Sequence, residues 1–221
     1  MDKISVIIPT MWKSEGFVHR LAKLSNIETI GEIILIDNTS NTTILPIPKV
    51  IHIIEGENTF VNPAWNKGVN LSKWDKLCIM NDDVEVHDEL FINILPHITE
   101  DKGMIGLHEY HGNGVWEDEP GYDRTRSELL RGNRFPLKLI ESERHNRRPG
   151  YACLWFIHKK SYIHIPHELK IWYGDDYLYH RNGKPNYSMM NVDIIGKLSQ
   201  TSDLSEFDET KRNDQRVWST L

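Results

Sequence analysis

The sequence predicts an α/β fold, a mostly parallel sheet flanked by helices, from the order of its apolar runs. Residues 4–10 and 32–38 are β-branched runs that stop at a proline, an acid or an amide, which is typical of buried parallel strands. Between them, residues 15–24 carry Phe17, Val18, Leu21 and Leu24 at a spacing that forms one apolar helix face.

The next part of the chain again has a strand, a helix and a strand. A strand at residues 49–54 precedes a helix from Ala64 to about Ser72, and a further strand begins at Lys76. The order strand, helix, strand, strand, helix, strand is the doubly wound arrangement, which binds nucleotides at the carboxyl ends of its strands.

The fourth strand ends in carboxylates. Residues 76–86 form a short apolar run that stops at Asn81-Asp82-Asp83 and resumes as strand-like alternation. Carboxylates at the end of a buried strand are costly unless something uses them, and Mg²⁺ or Mn²⁺ prefers oxygen ligands that include one or two carboxylates. The segment therefore suggests a metal-diphosphate site, with a turn and helix cap as the alternative.

Five motifs, taken in order, resemble a known family. They are Val6-Ile7-Ile8-Pro9-Thr10, Ile34-Leu35-Ile36-Asp37-Asn38, Asn62-Pro63-Ala64-Trp65-Asn66-Lys67-Gly68, Met80-Asn81-Asp82-Asp83-Val84 and Trp172-Tyr173-Gly174-Asp175-Asp176. Over roughly residues 3–180 the chain resembles the nucleotide-sugar-dependent glycosyltransferases of the GT-A fold, closest to glycosyltransferase family 2. The resemblance implies a GT-A fold with a Rossmann-like sheet.

Length and composition agree with one domain of this kind. The 221 residues suffice for one sizeable core, predicted here as a single domain with a nucleotide-binding half (1–100), an acceptor-side half (101–200) and a C-terminal tail (201–221). The tail is expected to pack as a helix or to fray, and no function is assigned to it. No run of 18 apolar residues exists and a strand starts within four residues, so we expect a soluble, cytoplasmic protein without membrane insertion.

Charge is unevenly distributed along the chain. The net charge of −6 argues against a dedicated nucleic-acid binder. Residues 124–148 nevertheless hold eight Lys and Arg against three acids. This stretch is either a solvated loop, a clamp on the donor diphosphate or a docking surface for an anionic acceptor.

The resemblance implies a donor site in the first half of the chain. Pro9, Thr10 and Asp37 would line the nucleobase and ribose, with an Asx-turn or helix cap as the alternative role for Asp37. The further residues implied for donor binding are Trp12, Asn38, Asn66 and Gly68, the last two as the family's Asn-x-Gly element, where glycine permits close approach to the donor.

The family's Asp-x-Asp motif aligns with Asn81-x-Asp83. Asp83 is thereby the metal ligand for Mn²⁺ or Mg²⁺, and Asn81 or Asp82 faces the ribose or a metal-bound water. Many members add a histidine after the last core strand, but this chain has none at residues 194–201. Either another residue completes the metal shell or Lys197 contacts the diphosphate directly.

The resemblance places the catalytic base in the second half. Asp176, at a helix start, would deprotonate the acceptor hydroxyl in an inverting displacement, with Asp175 beside it in acceptor binding; the alternative is an ordinary helix cap. Tyr151, Trp155 and Trp172 are candidates to stack on an acceptor sugar, and Trp172 is favoured because it lies four residues before Asp176.

The leading hypothesis is an inverting, metal-dependent glycosyltransferase with a uridine-linked donor. Its hydroxyl acceptor is a glycan, a protein or a modified nucleic acid, and no obligate protein partner is inferred. A sugar nucleotidyltransferase is disfavoured because the first strand lacks a Gly-rich phosphate loop. A non-catalytic carbohydrate or nucleotide-binding module is favoured only by the missing histidine, and Asp83 and Asp176 oppose it.

Overall fold

An eight-stranded sheet forms the centre of the protein, seen in a computed structural model that describes residues 2–40, 43–107, 114–116, 136–142, 150–190, 192, 194–196 and 204–221. The strands in these residues are β1 (Ile4–Thr10), β2 (Ile30–Asp37), β3 (Val50–Ile54), β4 (Lys76–Met80), β5 (Glu85–Val86), β6 (Ile105–Leu107), β7 (Gly114–Trp116), β8 (Lys138–Glu141), β9 (Leu154–His158), β10 (Tyr187–Met190) and β11 (Ile194–Gly196). The helices are α1 (Phe17–Ser25), α2 (Val61–Leu71), α3 (Glu89–Ile94), α4 (Gly174–Arg181) and α5 (Asp208–Trp218).

The sheet has a parallel half and a mixed half. Its strand order is β3-β2-β1-β4-β9-β6-β10-β8, and β3, β2, β1 and β4 are all parallel. Strand β9 runs antiparallel to both β4 and β6, β10 is parallel to β6, and β8 closes the edge antiparallel to β10. A small second sheet has the order β5-β11-β7. The predicted α/β fold with a mostly parallel sheet is confirmed.

Apolar side chains pack on both faces of the sheet. One cluster contains Ile4, Val6 and Ile8 of β1 with Phe17, Leu21 and Leu24 of α1, and the other contains Ile7 of β1 with Ala64, Trp65 and Val69 of α2. Burial of both faces explains why the parallel strands are continuous apolar runs rather than alternating ones.

The buried face of α1 differs from the predicted one at two positions. Phe17, Leu21 and Leu24 are buried as expected, but Val18 is 49% exposed. Arg20 occupies the buried face instead, because it lies three residues after Phe17 and one before Leu21. The prediction for Val18 was therefore wrong. Among the described residues, no helix is long and apolar enough to cross a membrane.

Candidate active site

The ends of β1, β2 and β4 bring the predicted donor residues together. Thr10 and Asp37 are register partners at the last positions of β1 and β2, so both strands end at the same level. The buried hydroxyl of Thr10 donates to Asp82 Oδ2 across 2.6 Å, in the turn after β4. The carboxyl edge of the parallel half is therefore the place where the first, second and fourth motifs meet.

The Asp82 and Asp83 carboxylates lie side by side in a partly buried turn. Burial and the adjacent Asp82 raise the pKa of Asp83 from 3.8 to about 7. Burial also raises the pKa of Asp82, against the opposing effects of the Thr10 hydrogen bond and the Arg20 charge. Two desolvated acids at adjacent positions form a donor set that suits a hard divalent cation.

Arg20 is a site residue that the sequence analysis missed. Its guanidinium donates to the carbonyl of Asp82 at 2.8 Å and to the carbonyl of Glu15 at 2.7 Å, and it also contacts Ser14 Oγ. Arg20 thus ties the loop after β1 to the turn after β4. The available signal was an arginine on the apolar face of an amphipathic helix, where a charge is rarely tolerated without partners.

Asp37 is fully enclosed by other residues of the chain. Its side chain has 0% exposure, and its Oδ2 accepts from Trp12 Nε1 at 2.7 Å and pairs with His52 Nε2 at 3.0 Å. Its Oδ1 accepts from the N–H of Thr39 at 3.1 Å, which is the Asx-turn that the sequence left open. A ligand contacts Asp37 only if one of these partners moves, whereas Trp12 lies partly exposed beside it.

The other predicted residues near these strand ends differ in exposure and in hydrogen bonding. Pro9 is partly exposed within β1. Asn38 is buried, donates its backbone N–H to Thr10 O at 2.9 Å and accepts from Thr59 Oγ1 at 2.8 Å. Asn81 is partly exposed and donates its backbone N–H to Cys153 O at 3.0 Å, which links the acidic turn to the segment before β9.

The Asn-x-Gly element on α2 contributes to packing of the helix. Asn66 donates to Ile165 O at 2.8 Å and accepts from Tyr162 Oη at 2.8 Å, so its amide holds the segment after β9. A Cβ on Gly68 would lie 2.3 Å from Ile7 Cγ2. Glycine is needed there because α2 lies close against β1. Donor binding by Asn66 and Gly68 stays a prediction.

Asp175 and Asp176 lie in the first turn of α4, as predicted, and both are partly exposed. A Cβ on Gly174 would lie 2.1 Å from Oδ1 of the buried Asn62, and Asn62 Nδ2 donates to Trp172 O at 3.3 Å. Asn62 is in the first turn of α2, which begins at the carboxyl edge after β3. These contacts bring the start of α4 to the same edge as the donor residues.

Only one of the three predicted acceptor aromatics is even partly exposed. Tyr151 is 1% exposed and Trp155 is 0% exposed, and the Tyr151 hydroxyl donates to Met104 O at 2.9 Å. Neither presents a face to a sugar, so both predictions were wrong: these rings fill the core beside α2 and α4. Trp172 is partly exposed, with Lys211 Nζ 5.1 Å from the centre of its ring.

Some predicted features lie outside the described residues. These are Lys197 and most of the basic stretch at 124–148, of which the described part includes the exposed Lys138. Within the described ranges, no group of three or more His, Cys, Asp or Glu side chains is arranged to hold a metal ion.

Several solved structures are similar in fold to this chain. S. aureus TarS 1-349 in complex with UDP is 17% identical with a TM-score of 0.56, and the match covers 90% of this chain and 58% of that one. S. aureus TarS 1-349 is 15% identical with a TM-score of 0.54 over the same shares of the two chains, 90% and 58%. GalNAc-T7 with UDP, GalNAc and Mn²⁺ is 17% identical with a TM-score of 0.58, covering 98% of this chain and 48% of that one.

The chain thus spans about half the length of these proteins and shares their fold, which is the GT-A fold. No curated protein matches the sequence significantly. The sequence model described as glycosyl transferase family 2 matches residues 5–165, which include β1, the acidic turn and β9. The chain belongs to glycosyl transferase family 2.

Proposed function

We propose that this protein transfers a sugar from a uridine diphosphate donor to a hydroxyl acceptor, with inversion and with the help of Mn²⁺ or Mg²⁺. The observation that carries the proposal is the acidic turn: two desolvated carboxylates beside Thr10 at the carboxyl ends of parallel strands. Such strand ends are where open α/β sheets bind nucleotides. That TarS and GalNAc-T7 are solved with UDP supports uridine as the base.

The metal fits the residues at the acidic turn. Asp83 would hold it, with Asp82 beside it or bonded to its water, and the diphosphate would complete the shell. When bound, the metal neutralises charge on the departing nucleoside diphosphate. Proton competition follows from the raised pKa of Asp83: below about pH 7 the protonated carboxyl is a poor ligand, so metal affinity rises with pH through this range.

The chain's own residues supply the remaining steps. Thr10, Pro9 and Asn38 lie where the nucleoside would bind, and Trp12, fixed by Asp37, forms the wall beside them. Asp176 accepts the proton of the acceptor hydroxyl as that oxygen bonds to the anomeric carbon, and the bond from this carbon to the diphosphate breaks with its electron pair leaving on the UDP. Asp175 binds the acceptor, and the Trp172 ring is the surface on which an acceptor sugar would stack.

The alternative is a binding module without catalysis. It is favoured by the closed setting of Asp37, which must lose a partner before it can bind a nucleobase directly. A turnover measurement distinguishes the binding module from the transferase, because a binding module binds UDP but releases no UDP from a UDP-sugar.

The proposal is tested by calorimetric titration of UDP, GDP and TDP, each with and without Mn²⁺. We expect Mn²⁺-dependent binding of UDP, weakened at least tenfold in Asp83→Ala because a metal ligand is lost. Asp101→Ala is the matched control, since Asp101 is an exposed aspartate whose side chain interacts with the nearby Thr99 and Lys102. Absence of binding by all three nucleotides would overturn the proposal.

A further inference from the structure

The C-terminal helix α5 carries one buried acid. Asp214 has 0% exposure, although the helix around it is mostly polar. Its Oδ1 accepts from the backbone N–H of Lys170 at 3.0 Å, and its Oδ2 accepts from the N–H groups of Ile171 and Trp172 at 2.8 and 3.0 Å. Within the described part of the chain no Lys or Arg forms an ion pair with Asp214, so these three donors balance its charge.

The three donors belong to the segment that leads into the predicted catalytic acids. Residues 170–172 are followed by Tyr173 at φ 64, a left-handed backbone rarely adopted by a bulky residue, and then by α4 with Asp175 and Asp176. Consecutive N–H groups that converge on one carboxylate fix the backbone that bears them. Asp214 therefore fixes the backbone of the segment that leads into α4.

Two further contacts from α5 fix the side chains of this segment. The Tyr173 ring stacks on Trp218 with centroids 5.6 Å apart and planes 7° apart. Lys211 Nζ lies 5.1 Å from the centre of the Trp172 ring. The backbone and both aromatic side chains before Gly174 are thus held by the same helix.

The turn before α5 reaches the donor side of the site. Phe207 packs edge-on against Phe60 with centroids 6.3 Å apart, and Glu206 pairs with Lys13 at 3.4 Å. Phe60 directly precedes α2, and Lys13 follows β1. Residues 206–218 therefore contact both the donor loops and the segment before α4.

We propose that Asp214 is a positioning residue for the transfer reaction and that α5 is part of the catalytic unit. It holds residues 170–173 so that Asp176 stays in place for proton transfer. The inference rests on the proposed function, in which Asp176 is the base. It also extends the catalytic unit to the C-terminal helix, whereas the family match ends at residue 165 and the residues proposed for the reaction end at Asp176.

The test is Asp214→Asn, with Glu209→Gln as the matched control. Asparagine keeps the size but offers one acceptor oxygen and turns an NH₂ group toward backbone donors. Glu209 is an exposed acid on the same helix, so its variant makes the same charge change without touching the segment. Asp214→Glu, which keeps the charge and displaces it by one methylene, is the second variant if Asp214→Asn folds poorly.

Three quantities are measured in each protein. The first is the UDP affinity with Mn²⁺, and the second is the release of UDP with water as the acceptor, from each of UDP-glucose, UDP-GlcNAc and UDP-GalNAc. The third is the rate of amide hydrogen exchange. For Asp214→Asn we expect UDP affinity and donor KM within about twofold of wild type and kcat lower by about 100-fold, the effect of misplacing a reacting group by about 1 Å. Exchange at residues 170–176 should accelerate while that of β1 and β4 stays unchanged. Asp214→Glu should show the same pattern more weakly.

Two results would overturn the inference. Equal release and equal exchange at residues 170–176 in Asp214→Asn and Glu209→Gln would show that Asp214 positions nothing. Acceleration of exchange throughout the chain would show a general role in stability instead. The proposed function fails separately, if the wild type binds no nucleoside diphosphate, and the exchange comparison still decides whether Asp214 fixes the segment.

Discussion

The donor side and the base side of the candidate site are built in different ways. On the donor side, Thr10, Asp37 and Asp82 come from the ends of adjacent parallel strands, and hydrogen bonding of the sheet sets their spacing. On the base side, Asp176 follows an irregular segment that Asn62 and the C-terminal Asp214 hold in place. A strand end positions a side chain through its neighbours in the sheet, whereas a loop needs partners from elsewhere in the chain.

Backbone strain marks both sides. Trp12, Phe60 and Tyr173 are non-glycine residues with φ of 59, 68 and 64, and each lies beside the candidate site. Such conformations cost on the order of 1–3 kcal/mol each and persist only where the surroundings enforce them. Asp37 fixes Trp12, Phe207 packs on Phe60, and Trp218 stacks on Tyr173, so each strained residue has an identified restraint.

Among changes of packing, the largest effect is expected where the base side is tightest. Gly174→Ala places a Cβ 2.1 Å from Asn62 Oδ1, and Asn62 is too buried to swing away. The start of α4 must therefore move, and we expect kcat for UDP release to fall by about 100-fold with UDP affinity retained. The double variant Asn62→Ala/Gly174→Ala removes the clash but also the hydrogen bond from Asn62 to Trp172 O, so it should recover part of the loss. No recovery would show that the contact with Asn62 is not the cause.

On the donor side, the equivalent glycine change should affect stability instead of turnover. Gly68→Ala brings a Cβ within 2.3 Å of Ile7 Cγ2, between α2 and β1. Overpacking of this kind costs about 1–3 kcal/mol, so the denaturation midpoint should fall while the folded protein keeps its kcat. Denaturant titration and UDP release on the same samples make the check. An unchanged midpoint would contradict the assigned packing role.

Arg20 should matter for donor affinity alone. Arg20→Met keeps the apolar stem but removes the hydrogen bonds to Asp82 O and Glu15 O. Losing a charge-assisted hydrogen bond of about 1.5 kcal/mol predicts roughly tenfold weaker UDP binding with Mn²⁺. Exchange at residues 170–176 should not change, because Arg20 belongs to the donor side. If calorimetry gave Arg20→Met the UDP affinity of the wild type, the link that Arg20 makes between the loop after β1 and the turn after β4 would not be needed for donor binding.

The metal-free protein should show a pH dependence of stability that comes from Asp83. The folded-state pKa of Asp83 lies above its ordinary value of 3.8, at about 7. The folded state thus holds more protons than the unfolded state between these values, and this residue lowers stability as pH rises. We expect the Tm of Asp83→Asn minus that of wild type, without metal, to increase from about pH 4 to about pH 7 and then to level off. A flat difference would contradict the raised pKa.

Local sequence pattern was sufficient where the relevant contacts are themselves local. The parallel strands and the acidic turn after β4 follow from apolar runs and from residues at their ends, whereas the acids of α4 were predicted from the resemblance to the family. Arg20 and Asp214 were missed because their importance comes from partners 62 and up to 44 residues away. Tyr151 and Trp155 were assigned to the surface wrongly, since an aromatic residue in an apolar run gives no indication of which of its neighbours will cover it.

The most direct test of the account compares binding with turnover in Asp83→Asn and Asp176→Asn. Asp176→Asn should bind UDP with Mn²⁺ as the wild type does, and its UDP release from UDP-sugars should fall by about 10²–10⁴-fold, the usual contribution of a positioned base. Asp83→Asn should lose the binding itself. Wild-type release in Asp176→Asn, or loss of UDP binding in that variant, would contradict a site in which one side holds the donor and the other activates the acceptor.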